Sequence, residues 1–235
     1  MTVSINLDPL PAETRQNLLE AAGHVFAEVG FRAATVREIC QRAGANIAAV
    51  NYYFGDKEKL YSEVLRFSQQ RALEKYPPDF GLKSHAPAEQ RLNAFIHSFL
   101  LRIFDESPVA RHAKLMAREM IEPTSALDSL VVERIRPQAH QLSEIVRQLL
   151  GPRANKELIR LSAMSIVGQC LFYHHCRPVV QRLFPEQKFS ERNIELLAEH
   201  ITQFSLAALK QLAKIKPLKM QNAKLKIRKN VSSRS

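Results

Sequence analysis

The stretch TVREICQRAGANIAAVNYYF, from Thr35 to Phe54, leaves room for little except two short helices joined by a tight turn. Thr35 precedes Val36-Arg37-Glu38, so its hydroxyl can accept from the third backbone N–H while Glu38 reaches back, as in a capping box. Val36, Ile39, Cys40 and Ala43 recur at helical spacing and predict one buried face. Gly44 can adopt the positive φ that stops a helix sharply. Asn46 can then cap a second helix over Ile47–Phe54. Upstream, Leu18, Ala22, Val25, Phe26 and Val29 predict a preceding helix with one apolar face, and Gly30 stands at its expected end. Two short helices around a glycine turn form a helix-turn-helix, whose second helix enters the DNA major groove.

The same residues resemble the TetR family of DNA-binding regulators. The family pattern has a capping Thr, an Ile/Ala core pair, Ala-Gly at the turn, a small capping residue, an aromatic pair ending in Phe, and a Lys-Glu-x-Leu helix start. It falls here on Thr35, Ile39 with Cys40, Ala43-Gly44, Asn46, Tyr52-Tyr53-Phe54 and Lys57-Glu58-Lys59-Leu60. Two positions depart from it: Asn46 stands where Ser is usual, and Asn51 where Tyr is frequent. The resemblance implies a phosphate contact at Thr35 and a phenol-to-phosphate bond from Tyr52 or Tyr53, although both rings could simply pack. Lys57 opens the next helix, where a cation and backbone N–H groups suit a phosphate. Ile47, Ala48 and Ala49 match thymine methyl groups better than hydrogen-bonding base edges, and Asn51 is the best polar base reader. Arg37 and Arg42 are expected to be solvated or at the backbone.

Bulk charge does not carry a DNA claim. The chain is net +11, but 210–235 holds nine Lys or Arg and no acid, so the remaining residues carry 25 basic and 23 acidic groups. Residues 1–70 hold seven basic and eight acidic groups. The motif, not the charge, points to double-stranded DNA. No run approaches about 18 apolar residues, so no membrane partner is expected. The first residues lack a signal-peptide pattern, and the three cysteines are too sparse for a disulfide framework. A cytoplasmic location follows as an expectation. No glycine-rich phosphate loop, nucleophile elbow or HExxH occurs, so neither catalysis nor a cofactor is expected.

The predicted fold is all-α, with a helix-turn-helix domain over 11–72 and a helical ligand-binding and dimerisation domain over 77–215. A basic tail, expected from its composition to be disordered, covers 216–235. Tyr76-Pro77-Pro78-Asp79-Phe80-Gly81 reads as the linker. Further helices are expected at about 87–106, 108–122, 125–150, 155–184 and 190–214, from their periodicity and terminal signals. The stretch 118–151, REMIEPTSALDSLVVERIRPQAHQLSEIVRQLLG, resembles the C-terminal domain of CecR-type regulators. That implies effector binding, dimerisation and a link to export of toxic compounds, with a repressor released from a palindromic operator by a small molecule.

Met116, Arg118, Glu119 and Tyr173 are the ligand candidates. A buried Arg beside a Glu suits a polar ligand group, or equally a structural ion pair. Cys170, His174, His175 and Cys176 lack a complete zinc-ligand spacing and fit packing better than a metal site. Helices 155–184 and 190–214 carry Leu158, Leu161, Ile166, Leu196, Leu197, Ile201, Phe204 and Leu209, more apolar side chains than one small domain need bury. A homodimer through a four-helix bundle is therefore expected. The tail reads as solvated chain, or as an electrostatic arm with a reach of roughly 25 Å. The second functional reading is a DNA-binding factor without a small-molecule effector, regulated by a protein partner.

Overall fold

The computed structural model describes residues 12–105 and 112–214. All regular elements among the described residues are helical. The order is α1 (Ala12–Ala33), α2 (Val36–Ala43), α3 (Ile47–Phe54), α4 (Lys57–Lys75), α5 (Ala88–Phe104), α6 (His112–Ile121) and α7 (Ala126–Leu130). A π-type turn, Val131–Ile135, leads on to α8 (Arg136–Leu150), α9 (Lys156–His175), α10 (Arg177–Leu183) and α11 (Glu191–Leu212). The tail at 216–235 lies outside the described residues.

The caps fall where the sequence places them. Thr35 Oγ1 accepts from Glu38 N at 3.2 Å, and Asn46 Oδ1 accepts from Ala49 N at 2.9 Å. Gly44, at φ 64, returns its N–H to the carbonyls of Cys40 and Gln41. Gly30, at φ 81 and ψ 171, interrupts α1, and a last turn carries the chain to Ala33. Val29, expected on the apolar face, is instead 41% exposed, one step from this interruption.

Two apolar cores result. The first joins Leu18, Ala22, Val25 and Phe26 of α1 to Ile39, Val50, Phe54, Leu60 and Val64, and it also takes in Leu115 of α6 and Ala126 and Leu130 of α7. The second packs α5, α8, α9 and α11 through Leu92, Ile96, Leu142, Ile145, Ile166 and Ile201. α4 runs from the first core to Tyr76, which packs against the second.

Two predicted helices are divided. The expected helix at 125–150 contains the π-type turn, and the one at 155–184 breaks at Cys176 (φ −92, ψ 12). Pro178 explains the second break. Its ring has no N–H and would collide with the carbonyl of His174 in a continuous helix, so it sits instead in the first turn of α10.

Gly30 combines a left-handed backbone with a close neighbour, since a Cβ there would lie 3.1 Å from Arg118 Nη1. Gly30→Ala should therefore destabilise the protein by about 1–3 kcal/mol from backbone strain alone. A urea midpoint unchanged from the parent protein would contradict this assignment.

Candidate nucleic-acid interface

α3 has eight residues, too few to persist alone, and is held by the face it buries. Ala49, Val50 and Phe54 point into the first core. The opposite face presents Ile47 (52% exposed), Ala48, Asn51 and Tyr52 (56% exposed). These four positions form one outward surface at the start and middle of the helix, the part that meets base edges when such a helix enters a groove. The structure removes Ala49 from this set: its side chain is 2% exposed and packs inward, three positions before Tyr52 but on the face of Val50.

The flanking candidates have defined surroundings. Tyr52 and Tyr53 meet edge to face with centroids 5.0 Å apart. Tyr53 is half-buried, and burial first, then the neighbouring Tyr52, pushes its phenol pKa up. Lys57 Nζ donates to Ala34 O at 2.9 Å and reaches Arg32 O at 3.5 Å, while lying 4.5 Å from the Phe31 ring centroid. An ammonium has three donors, and the two carbonyls and the Phe31 face surround it here. Thr35 and Asn46 are exposed at their caps. Arg42 is held by Glu28 at 2.8 Å and Glu38 at 3.0 Å, and Arg37 is exposed.

The ligand candidates are not brought together. Met116, Arg118 and Glu119 lie on α6 against the first core, whereas Tyr173 packs on the second. Arg118 and Glu119 do not pair with each other. Arg118 donates to Ala27 O (Nε, 3.1 Å) and Glu28 O (Nη2, 2.6 Å). Glu119 is fully buried and accepts from Tyr61 Oη at 2.8 Å, Thr124 N at 2.8 Å and Thr124 Oγ1 at 2.9 Å. Burial, followed by the Glu119 bond, pushes the Tyr61 phenol well above its ordinary range.

Sequence reasoning missed Tyr61, and it missed Arg102. Arg102 is 4% exposed and donates to Tyr76 O, Ser98 Oγ and Gln138 Oε1 at 3.0, 2.6 and 3.0 Å. Its pKa falls to about 10 through burial. A guanidinium inside the apolar run Phe99-Leu100-Leu101-Arg102-Ile103-Phe104 was the available signal.

The Cys/His cluster is spread over packing positions. Cys170 is buried in the second core, and burial pushes its thiol up to about 12. His174 lies edge-on to Phe104 at 5.8 Å. Among the described residues no three His, Cys, Asp or Glu side chains are grouped to hold a metal ion. No described helix is long and apolar enough to cross a membrane. An open groove of about 620 Å³ follows α5 and α11, with Asn93, His97, Glu195, Glu199 and Thr202 along it. At its rim the Phe80 ring stacks on His97 at 5.0 Å.

Known proteins share both halves of this arrangement. Residues 18–64 match the model for bacterial regulatory proteins of the tetR family, and residues 88–209 match that for the C-terminal domain of the HTH-type transcriptional dual regulator CecR. The CecR dual regulator of Shigella flexneri is 27% identical over 204 residues, covering 81% of this chain and 88% of that protein. Among solved structures, a TetR-family transcriptional regulator from Bordetella parapertussis superposes with a TM-score of 0.61 at 18% identity, covering 83% of this chain and 95% of that one. AibR, solved in complex with isovaleryl coenzyme A and operator DNA, gives a TM-score of 0.60 at 16% identity, covering 82% and 97% of the two chains. The chain is a TetR-family transcriptional regulator with a C-terminal domain of the CecR type.

Proposed function

We propose that the protein binds a palindromic operator as a homodimer and leaves it when a small-molecule effector occupies the C-terminal domain. The observation that carries the DNA part is the outward face of α3, with Ile47, Ala48 and Asn51 exposed on a helix whose other face is locked into the core. In this reading Ile47 and Ala48 meet thymine methyls, Asn51 reads adenine, and Thr35, Tyr52, Tyr53 and Lys57 work at the phosphate backbone, with Asn46 holding the helix start.

The dimer reading rests on apolar side chains left outside. Ile166, Leu197, Ile201 and Leu209 are consumed by the chain's own core, but Leu161, Met164 and Phe172 of α9 and Leu196 and Phe204 of α11 are exposed. Leu196, His200 and Phe204 recur every fourth residue and make one stripe, which suits a two-fold helix bundle. The effector part extends to this chain the pairing of ligand and operator in AibR. In this reading the effector occupies the open groove along α5 and α11. Met116 and Tyr173, the contacts expected from the sequence, do not line this groove. Such a compound must bind the released state more tightly than the DNA-bound state, because equal affinity shifts nothing. In this reading the protein is a regulator rather than an enzyme, and its place is the cytoplasm.

Selection of binding sites from random duplex DNA tests the interface. The parent protein should enrich a two-fold symmetric sequence. Asn51→Ala should lose preference at one base pair per half-site, worth about 1–3 kcal/mol, and keep the rest. An identical preference in the variant would refute the base-reading assignment.

Phe204→Glu should shift the sedimentation profile at micromolar concentration from dimer to monomer and weaken operator binding with it. A variant that stays dimeric, or a parent protein that is monomeric yet binds with full affinity, would refute the bundle.

A further inference from the structure

We infer that Arg118 and Glu119 are positioning residues for operator binding: adjacent on α6, they grip the DNA-binding head at two points and fix its orientation. The inference rests on the two-headed operator reading above. Arg118 supplies the first point. The carbonyls of Ala27 and Glu28 belong to the last turn of α1 before Gly30 breaks it, where helix carbonyls lack their usual partners. Its guanidinium bonds both, at 3.1 and 2.6 Å, and places a positive charge at the negative end of the helix dipole. At Gly30 a Cβ would lie 3.1 Å from Nη1, so a larger residue would press the guanidinium back by a few tenths of an ångström.

Glu119 supplies the second point, on a different helix. Its buried carboxylate takes the Tyr61 hydroxyl of α4, and Thr124 holds the other oxygen with two donors. All three donors are neutral, so the carboxylate depends on keeping every one of them. Successive residues of an α-helix point about 100° apart. Arg118 therefore reaches α1 while Glu119 reaches α4, and Leu115 one turn earlier is fully buried between them in the first core. While both contacts hold, α1 and α4 keep one seating against α6.

The test compares Arg118→Ala, Arg118→Lys and Tyr61→Phe with the parent protein. It uses the full-length chain, the selected operator, operators with the half-site spacing changed by one base pair, and a single half-site. Loss of a charged hydrogen-bonding pair should weaken two-half-site binding by about tenfold or more in Arg118→Ala. Half-site binding should hold, the spacing preference should relax, and Arg118→Lys should recover part of the loss. Tyr61→Phe should show the same pattern. Hydrogen exchange of the free protein provides a second readout that needs no DNA: amides of residues 30–34 should exchange faster in Arg118→Ala. Equal losses on half-site and full operator would mean general damage to the head and would overturn the inference, as would unchanged affinity and spacing. If no operator is obtained, the two-headed reading itself fails, and unchanged exchange at 30–34 would separately overturn the Arg118 grip.

Discussion

The proposed DNA-facing surface depends on the burial of Val50 and Phe54 beneath α3. A helix of eight residues forms only because these side chains, with Ala49, are taken into a core built by Phe26, Ile39 and Leu60. Removing such a side chain costs about 2–5 kcal/mol, which is a large part of the stability of a domain this size. The aromatic cluster behind it is tight: Tyr61 lies 4.8 Å from Phe26 and 5.0 Å from Phe31. Lys57 closes the same corner over Phe31 while bonding Ala34 O. What α3 presents outward is thus set by what is packed behind it.

That core does not stop at the helix-turn-helix. Leu115, Ala126 and Leu130 belong to it, so α6 and α7 are structurally part of the head's foundation although they lie beyond the linker in sequence. α4 is held at its far end as well. Arg102 and Ser98 both donate to Tyr76 O, and Arg102 continues to Gln138 of α8. Gln138 donates to Arg134 O within the π-type turn, and Arg134 returns to Gln70 of α4. The ring links α4, α5, the π-type turn and α8 through groups that are costly to leave unpaired. A rearrangement of the second core therefore meets α4 at its far end and at Gln70.

Local chemistry was the most legible part of the sequence. Thr35, Gly44 and Asn46 carry their roles within three or four residues, and both side-chain caps form, although Glu38 bonds Arg42 instead of completing the expected capping box. The division between head and second domain was harder, because Leu115 and Leu130 look like any apolar helix positions and only tertiary packing assigns them to the first core. Ala49 was misplaced for a related reason. On so short a helix, small residues at 48 and 49 look alike, and burial depends on the rotation that Val50 and Phe54 impose. Arg118 and Glu119 stood out as charges on an apolar helix, but their partners, the backbone at Ala27 and Glu28 and the hydroxyl of Tyr61, are more than fifty residues away in sequence. Pro178 marked the break between α9 and α10, yet the surrounding apolar spacing masked it.

Hydroxyl-radical footprinting of the full-length protein on its selected operator tests the central claim most directly, that two copies of α3 read successive major grooves from one rigid frame. Two protected patches related by two-fold symmetry, their centres a whole number of helical turns apart at about 34–36 Å per turn, are the expected result. A single patch, or two patches on opposite faces of the duplex, would contradict it.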